Sequence, residues 1–122
     1  MIKSPRWLRP NSVTVINVLP EYQREEQTTR TEVGLVKAEV ATSSQLTVTG
    51  REFVNSLLVI MDVNDYKSDK AYVRPENLKD PTTEFTLKIG DRIEFEGREW
   101  EVTGVKDVAG PRSPQFIEVT GE

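Results

Sequence analysis

The stretch Phe85–Val105, beginning FTLKIGDRIEFEGREWEV, constrains this chain more than any other. Ile93 and Phe95 alternate with Arg92, Glu94 and Glu96. After a break at Gly97-Arg98, Trp100 and Val102 alternate with Glu99, Glu101 and Thr103. A period of two on both sides of a glycine break marks two half-buried antiparallel strands with a built-in register. Lys88-Ile89-Gly90-Asp91 reads as the tight turn feeding the first of them, with Gly90 taking backbone geometry that residues with a Cβ resist.

Other segments carry the same character. Ser12–Leu19 (SVTVINVL) is rich in β-branched residues and largely apolar on both faces, so it predicts a strand that is central or pressed against a partner; Pro20 ends it. Gly34–Thr42 (GLVKAEVAT) places Val36, Ala38 and Val40 on one face and Lys37 and Glu39 on the other. Ser43-Ser44 reads as a turn, Gln45–Val48 as a short strand broken by Gly50, and Arg51–Asn55 as a helical turn. Ser56–Val63 (SLLVIMDV), the most hydrophobic run, is too short and too β-branched for a helix and predicts a buried strand. After a Gly/Pro-rich loop over Val105–Pro114, Gln115–Thr120 closes the chain as a strand with Ile117 and Val119 on one face. The expected fold is mainly all-β: a small six-stranded barrel or sandwich with long loops and at most short helical turns. Residues 12–122 form this single domain, and 122 residues suffice for one modest core.

Three polar regions interrupt the strands. Residues 1–11 predict an extended arm, because Pro5 and Pro10 forbid a helix there; Lys3, Arg6 and Arg9 are positive with no acid among them. The arm either docks on a neighbouring acidic surface with Trp7 as anchor or folds Trp7 back on its own core. Glu21–Glu32 (EYQREEQTTRTE) shows no period of either kind and reads as a long excursion between strands. Asn64–Thr83 is a second excursion, with a short edge strand over Ala71–Val73 and a helical turn over Glu76–Lys79. The candidate partner-contact residues are Trp7 and Arg9 in the arm, Tyr22, Arg24 and Arg30 in the first excursion, and Tyr66, Lys67, Tyr72 and Arg74 in the second.

Composition narrows the chemistry. The chain has no cysteine and no histidine, which removes disulfides, thiolate nucleophiles, zinc sites of the Cys/His kind and the commonest general base. Phosphate-cradling glycine motifs are absent. Glu94, Glu96, Glu99 and Glu101 gather on the outer hairpin face, but a carboxylate pair that works as a glycosidase lines a concave site, and this face is open. Asp62-Val63-Asn64-Asp65 starts like a calcium loop and fails at Tyr66, Lys67 and Val73, which leaves a turn. Neither a catalytic site, a cofactor nor a metal is expected. A net charge of −4 argues against a protein built to grip nucleic acid, and no apolar run reaches the length of a membrane span. The N-terminus has basic residues but no apolar block behind them, so it does not read as a secretory signal.

The order of an apolar strand (LLVIMDV), a polar excursion, F-x-L-K-x-G-D-R-I-x-F-x-G-x-x-W-x-V, a Gly/Pro loop and a last strand (FIEV) resembles the small head–tail connector proteins of tailed bacteriophages, the group of minor capsid or head-completion (stopper) proteins. The resemblance covers roughly Leu57–Val119. It implies a barrel-like protomer in a homo-oligomeric ring at the head–tail interface of a virion. Portal or adaptor and tail proteins would be its partners, and DNA would pass through the channel without sequence-specific binding. The family brings no catalytic motif. One departure is the stretch AGPRSPQ, which lacks the histidines that members often carry before the last strand. A monomeric barrel that binds a peptide or another protein as an adaptor is the alternative reading.

Overall fold

The computed structural model describes residues 6–22, 25–109 and 114–122. It holds eight strands: β1 (Asn11–Tyr22), β2 (Glu25–Thr47), β3 (Gly50–Asp62), β4 (Ala71–Tyr72), β5 (Glu84–Phe85), β6 (Arg92–Phe95), β7 (Arg98–Ala109) and β8 (Pro114–Gly121). Six of them close an antiparallel barrel in the order β1-β2-β3-β8-β7-β6, with β6 returning to β1. The short strands β4 and β5 pair in parallel outside that ring. Closure gives each barrel strand two neighbours, which is how a small all-β domain avoids exposed ladder groups.

The β6–β7 hairpin has the register that its alternation predicts. Ile93 faces Trp100 across the ladder, and Glu94 faces Glu99. Ile93, Phe95, Trp100 and Val102 are buried, while Glu96, Glu99 and Glu101 are exposed. The reversal is one residue earlier than the sequence break suggested: Glu96 and Gly97 both have positive φ (53° and 78°), the geometry of the tight hairpin turns that match strand twist. The core continues through Val13, Val15, Val33, Val36, Leu57, Val59, Met61, Ile117 and Val119, with Phe85 and Leu87 from the crossover packed against it. Gly104 sits beside a bulge in β7, where a Cβ would come within 2.5 Å of Thr120 Oγ1 and force that side chain to shift.

Several expectations require correction. The described part of Glu21–Glu32 is strand and not loop, because β1 continues through Tyr22 and β2 starts at Glu25; residues 23 and 24 lie outside the described residues. Its inward positions are Gln27, Thr29 and Thr31, none of them apolar, so the alternation escapes a hydrophobicity reading. Ser43-Ser44 lies inside β2 rather than in a turn, and Arg51–Asn55 is strand rather than helix. Strands reach into the expected Val105–Pro114 loop, since β7 runs to Ala109 and β8 begins at Pro114; residues 110–113 lie outside the described residues. The arm carries a 3-10 turn at Arg6–Leu8, because the four residues between Pro5 and Pro10 are free to curl. The second excursion contains the short strand at Ala71–Tyr72 and a 3-10 turn at Pro75–Asn77, close to where they were expected.

A buried polar clamp holds the crossover on the barrel. Asn17 and Asp91 are both fully buried. Asn17 Nδ2 donates to the Thr86 carbonyl (2.7 Å) and to Asp91 Oδ2 (2.8 Å), and Asn17 Oδ1 accepts from the Thr86 amide (3.2 Å). Asp91 Oδ1 also accepts from the Val18 amide at 2.9 Å and from Lys88 Nζ. These bonds satisfy a carboxylate that would be costly to bury alone.

Candidate functional surface

The feature with no counterpart in the sequence reading is a ribbon. β2 and β3 pair from Val36↔Met61 to Thr47↔Gly50. The ladder of β3 with β8 covers only Leu57–Asp62, and that of β2 with β1 stops at Val36. Residues 41–47 and 50–56 therefore pair with each other alone, among the described residues. Their seven residue pairs carry the hairpin about 24 Å beyond the barrel. Both outer edges of this ribbon offer unpaired backbone groups, and open edges of that kind template association.

Its two faces differ. Val36, Ala38, Val59 and Met61 point into the core, and the same register continues outward through Val40, Thr42, Ser44 and Leu46 on β2 and Asn55, Phe53 and Arg51 on β3. The core face of the barrel thus runs on into solvent. Phe53 is 73% exposed, Leu46 85% and the tip residue Val48 fully so. Together with Val40 they offer on the order of 500 Å² of apolar surface, at the upper end of what single patches on monomers reach.

On the other side of the molecule lies a pocket of about 430 Å³, lined by Val63, Tyr72, Val73, Arg74, Asn77, Asp107 and Ile117. β8 pairs with β3 so that Gly121 faces Leu57 at the root of the ribbon and Phe116 faces Asp62 at the far end. Ile117, Val63 and Asp107 therefore place the pocket at the barrel end opposite the ribbon. Arg74 Nη1 donates to Asp107 Oδ2 at 2.9 Å across it. Burial, with the Asp107 carboxylate adding to it, pushes the Tyr72 phenol up to about 12, so it stays neutral across the physiological range.

The predicted contact residues are scattered by the fold. Trp7 is 77% exposed and does not fold back on the core. Arg9 turns inward instead. Its side chain is buried, Nη2 donates to Asp65 Oδ2 (2.7 Å), and Nη1 donates to the Leu35 carbonyl (2.9 Å) and to the Asp65 carbonyl. Leu35 adopts positive φ (59°) at a bulge where β1 and β2 shift register, beside Gly34, which exchanges two backbone hydrogen bonds with Lys67. Arg6 adds a two-pronged contact to the same Asp65. The arm's described arginines thus fasten it to Asp65, with Arg9 buried and the Arg6 side chain 66% exposed. Hydrogen bonds from Arg6 and then Arg9 hold the Asp65 carboxyl well below the usual carboxylate range.

Arg30 is exposed on β2 and pairs with Glu94; Arg92 pairs with Glu26 next to it. Tyr66 and Tyr72 are half-buried, each edge-on to Phe85, and the Tyr72 amide donates to Tyr66 Oη (2.7 Å). Lys67 is exposed, and Arg74 borders the pocket. Tyr22 ends β1, and Arg24 lies outside the described residues. Tyr66 and Tyr72 are brought together at Phe85, and Tyr72 and Arg74 at the pocket. Glu99 and Glu101 stand on the open outer wall with Glu94, which is engaged by Arg30. Among the described residues no group of three or more acidic side chains is placed to hold a metal ion, and no helix is long and apolar enough to cross a membrane.

No protein-family model and no curated protein matches the sequence.

Proposed function

We propose that this chain is a structural assembly subunit, a ring-forming head–tail connector of the stopper or head-completion type, acting between the portal and tail of a tailed phage. The observation that carries the assembly part of this reading is the ribbon. A closed barrel has no use for a two-stranded extension that buries nothing of its own and displays Phe53, Leu46 and Val48 to water. Such a patch becomes favourable only when another surface covers it. The connector part rests on the resemblance over Leu57–Val119.

Two further properties support the reading. The outer wall of β6 and β7 carries exposed Glu96, Glu99 and Glu101, and the chain as a whole is acidic with a net charge of −4. Phosphates passing such a wall are repelled at short range and release no counterions, so DNA slides without sticking. The arm's lock on Asp65 leaves Trp7 standing outward on a fixed 3-10 turn, available to a partner at little ordering cost.

Negative-stain imaging of the purified chain mixed with portal and tail-tube proteins of a tailed phage tests the connector reading. Rings stacked on portal or tail particles are the expected result. Particles that never acquire this density, together with a chain that binds a short peptide one-to-one, would instead favour a monomeric adaptor.

A further inference from the structure

We infer that the Phe53 face of the ribbon docks in the Tyr72–Asp107 pocket of a second copy of this chain. The inference rests on the assembly reading above and names the contact through which copies join.

Placement favours it first. From Phe53 to Val63 the β3 strand spans about 33 Å, and the ribbon points away from the pocket. A chain cannot fill its own pocket with its own ribbon. A protruding element and a receiving cavity at opposite ends of one molecule define a heterologous contact, which repeats head to tail and gives a ring where the rotation between copies closes and a filament where it does not.

Shape and polarity agree. A cavity of about 430 Å³ with Val63, Tyr72 and Ile117 in its lining has room for a benzyl side chain. Phe53 is the largest apolar side chain that the ribbon exposes, and aromatic residues are enriched in the cores of interfaces, where anchors sit in well-packed pockets. Leu46, diagonal to Phe53 on the same face, would cover the pocket's edge.

Charge agrees as well. Among the ribbon positions on that face, Arg51 is the single charged residue. Around the pocket stand Arg74, Asp107 and the neighbouring exposed Glu76, one net negative charge. Arg51 supplies the missing positive partner two residues from Phe53. The opposite face of the ribbon carries Glu52, so a flipped ribbon would present like charge to the pocket.

The chain's lack of cysteine makes the contact directly readable. Chains carrying Ser44→Cys, next to Phe53 across the ladder, are mixed with chains carrying Asn77→Cys at the pocket and treated with a short bismaleimide. A mixture of Ser44→Cys and Glu99→Cys chains is the control, and light scattering on each sample records assembly. The expected result is a heterodimer band in the first mixture that far exceeds the control. Adding Phe53→Asp to the ribbon chain should weaken association by about 30-fold, as losing an aromatic anchor does. Assembled samples in which the two mixtures crosslink equally would overturn this inference and leave the assembly reading intact. A chain that stays monomeric and uncrosslinked at every concentration would overturn both.

Discussion

Replacing Asn17 by alanine removes three hydrogen bonds at once from the clamp that fastens the crossover to β1. Two are neutral bonds with the Thr86 backbone, and one is a bond to the Asp91 carboxylate. Neutral bonds contribute about 1 kcal/mol each and one to a charged acceptor about 2, so the loss is about 4 kcal/mol. The site is fully buried, so water cannot replace the missing groups without opening the barrel. For a domain of this size that loss lowers the melting midpoint by roughly 12–20 °C. Urea unfolding followed by tryptophan fluorescence measures it well in a Trp7→Phe background, because Trp100 is then the single reporter and is buried. An Asn17→Ala cost below about 1 kcal/mol would refute the role of the clamp in holding the crossover on the barrel.

Other outcomes follow from the same structure. Trp100→Ala empties the space opposite Ile93 and should cost about 3–5 kcal/mol by the same urea measurement. The Asp65 carboxyl is depressed in the folded state, so its contribution is fully present above the ordinary carboxylate pKa and is lost as pH falls through its lower folded value. Asp65→Asn should therefore flatten the acid limb of the stability curve below about pH 4, and an unchanged limb would contradict the arm lock. Removing residues 26–31 should abolish folding, as seen by loss of cooperative unfolding, because they form β2 against β1 and are not a dispensable loop.

The barrel is legible in the sequence wherever apolar and polar residues alternate. Ile93, Phe95, Trp100 and Val102 define one hairpin, and Leu57, Val59 and Met61 define the buried strand. The first part of β2 is hidden for a physical reason: Thr29 and Thr31 face inward, so the strand's two faces differ in charge rather than in hydrophobicity. Alternation of threonine with Arg30 and Glu32 is the available signal. The ribbon is hidden for another reason. Ser43 and Ser44 have turn-like composition, and nothing in a local window says that a strand outlives its neighbours. The exposure of Phe53 follows only from the ladder of β3 with β8, which stops at Leu57. Charge alone assigns Arg9 to partner contact; its buried acceptors, Asp65 and the bulged Leu35 carbonyl, are 56 and 26 residues away along the chain.

On the proposed function, the ribbon serves assembly and is not part of the folding core. Sedimentation velocity on the full chain, beside a chain in which residues 42–55 are replaced by an Asn-Gly turn, tests it most directly. The full chain should sediment as a multi-subunit particle, and the shortened one as a monomer with an unchanged thermal midpoint. Equal subunit numbers for the two chains, or a shortened chain that no longer folds, would contradict it.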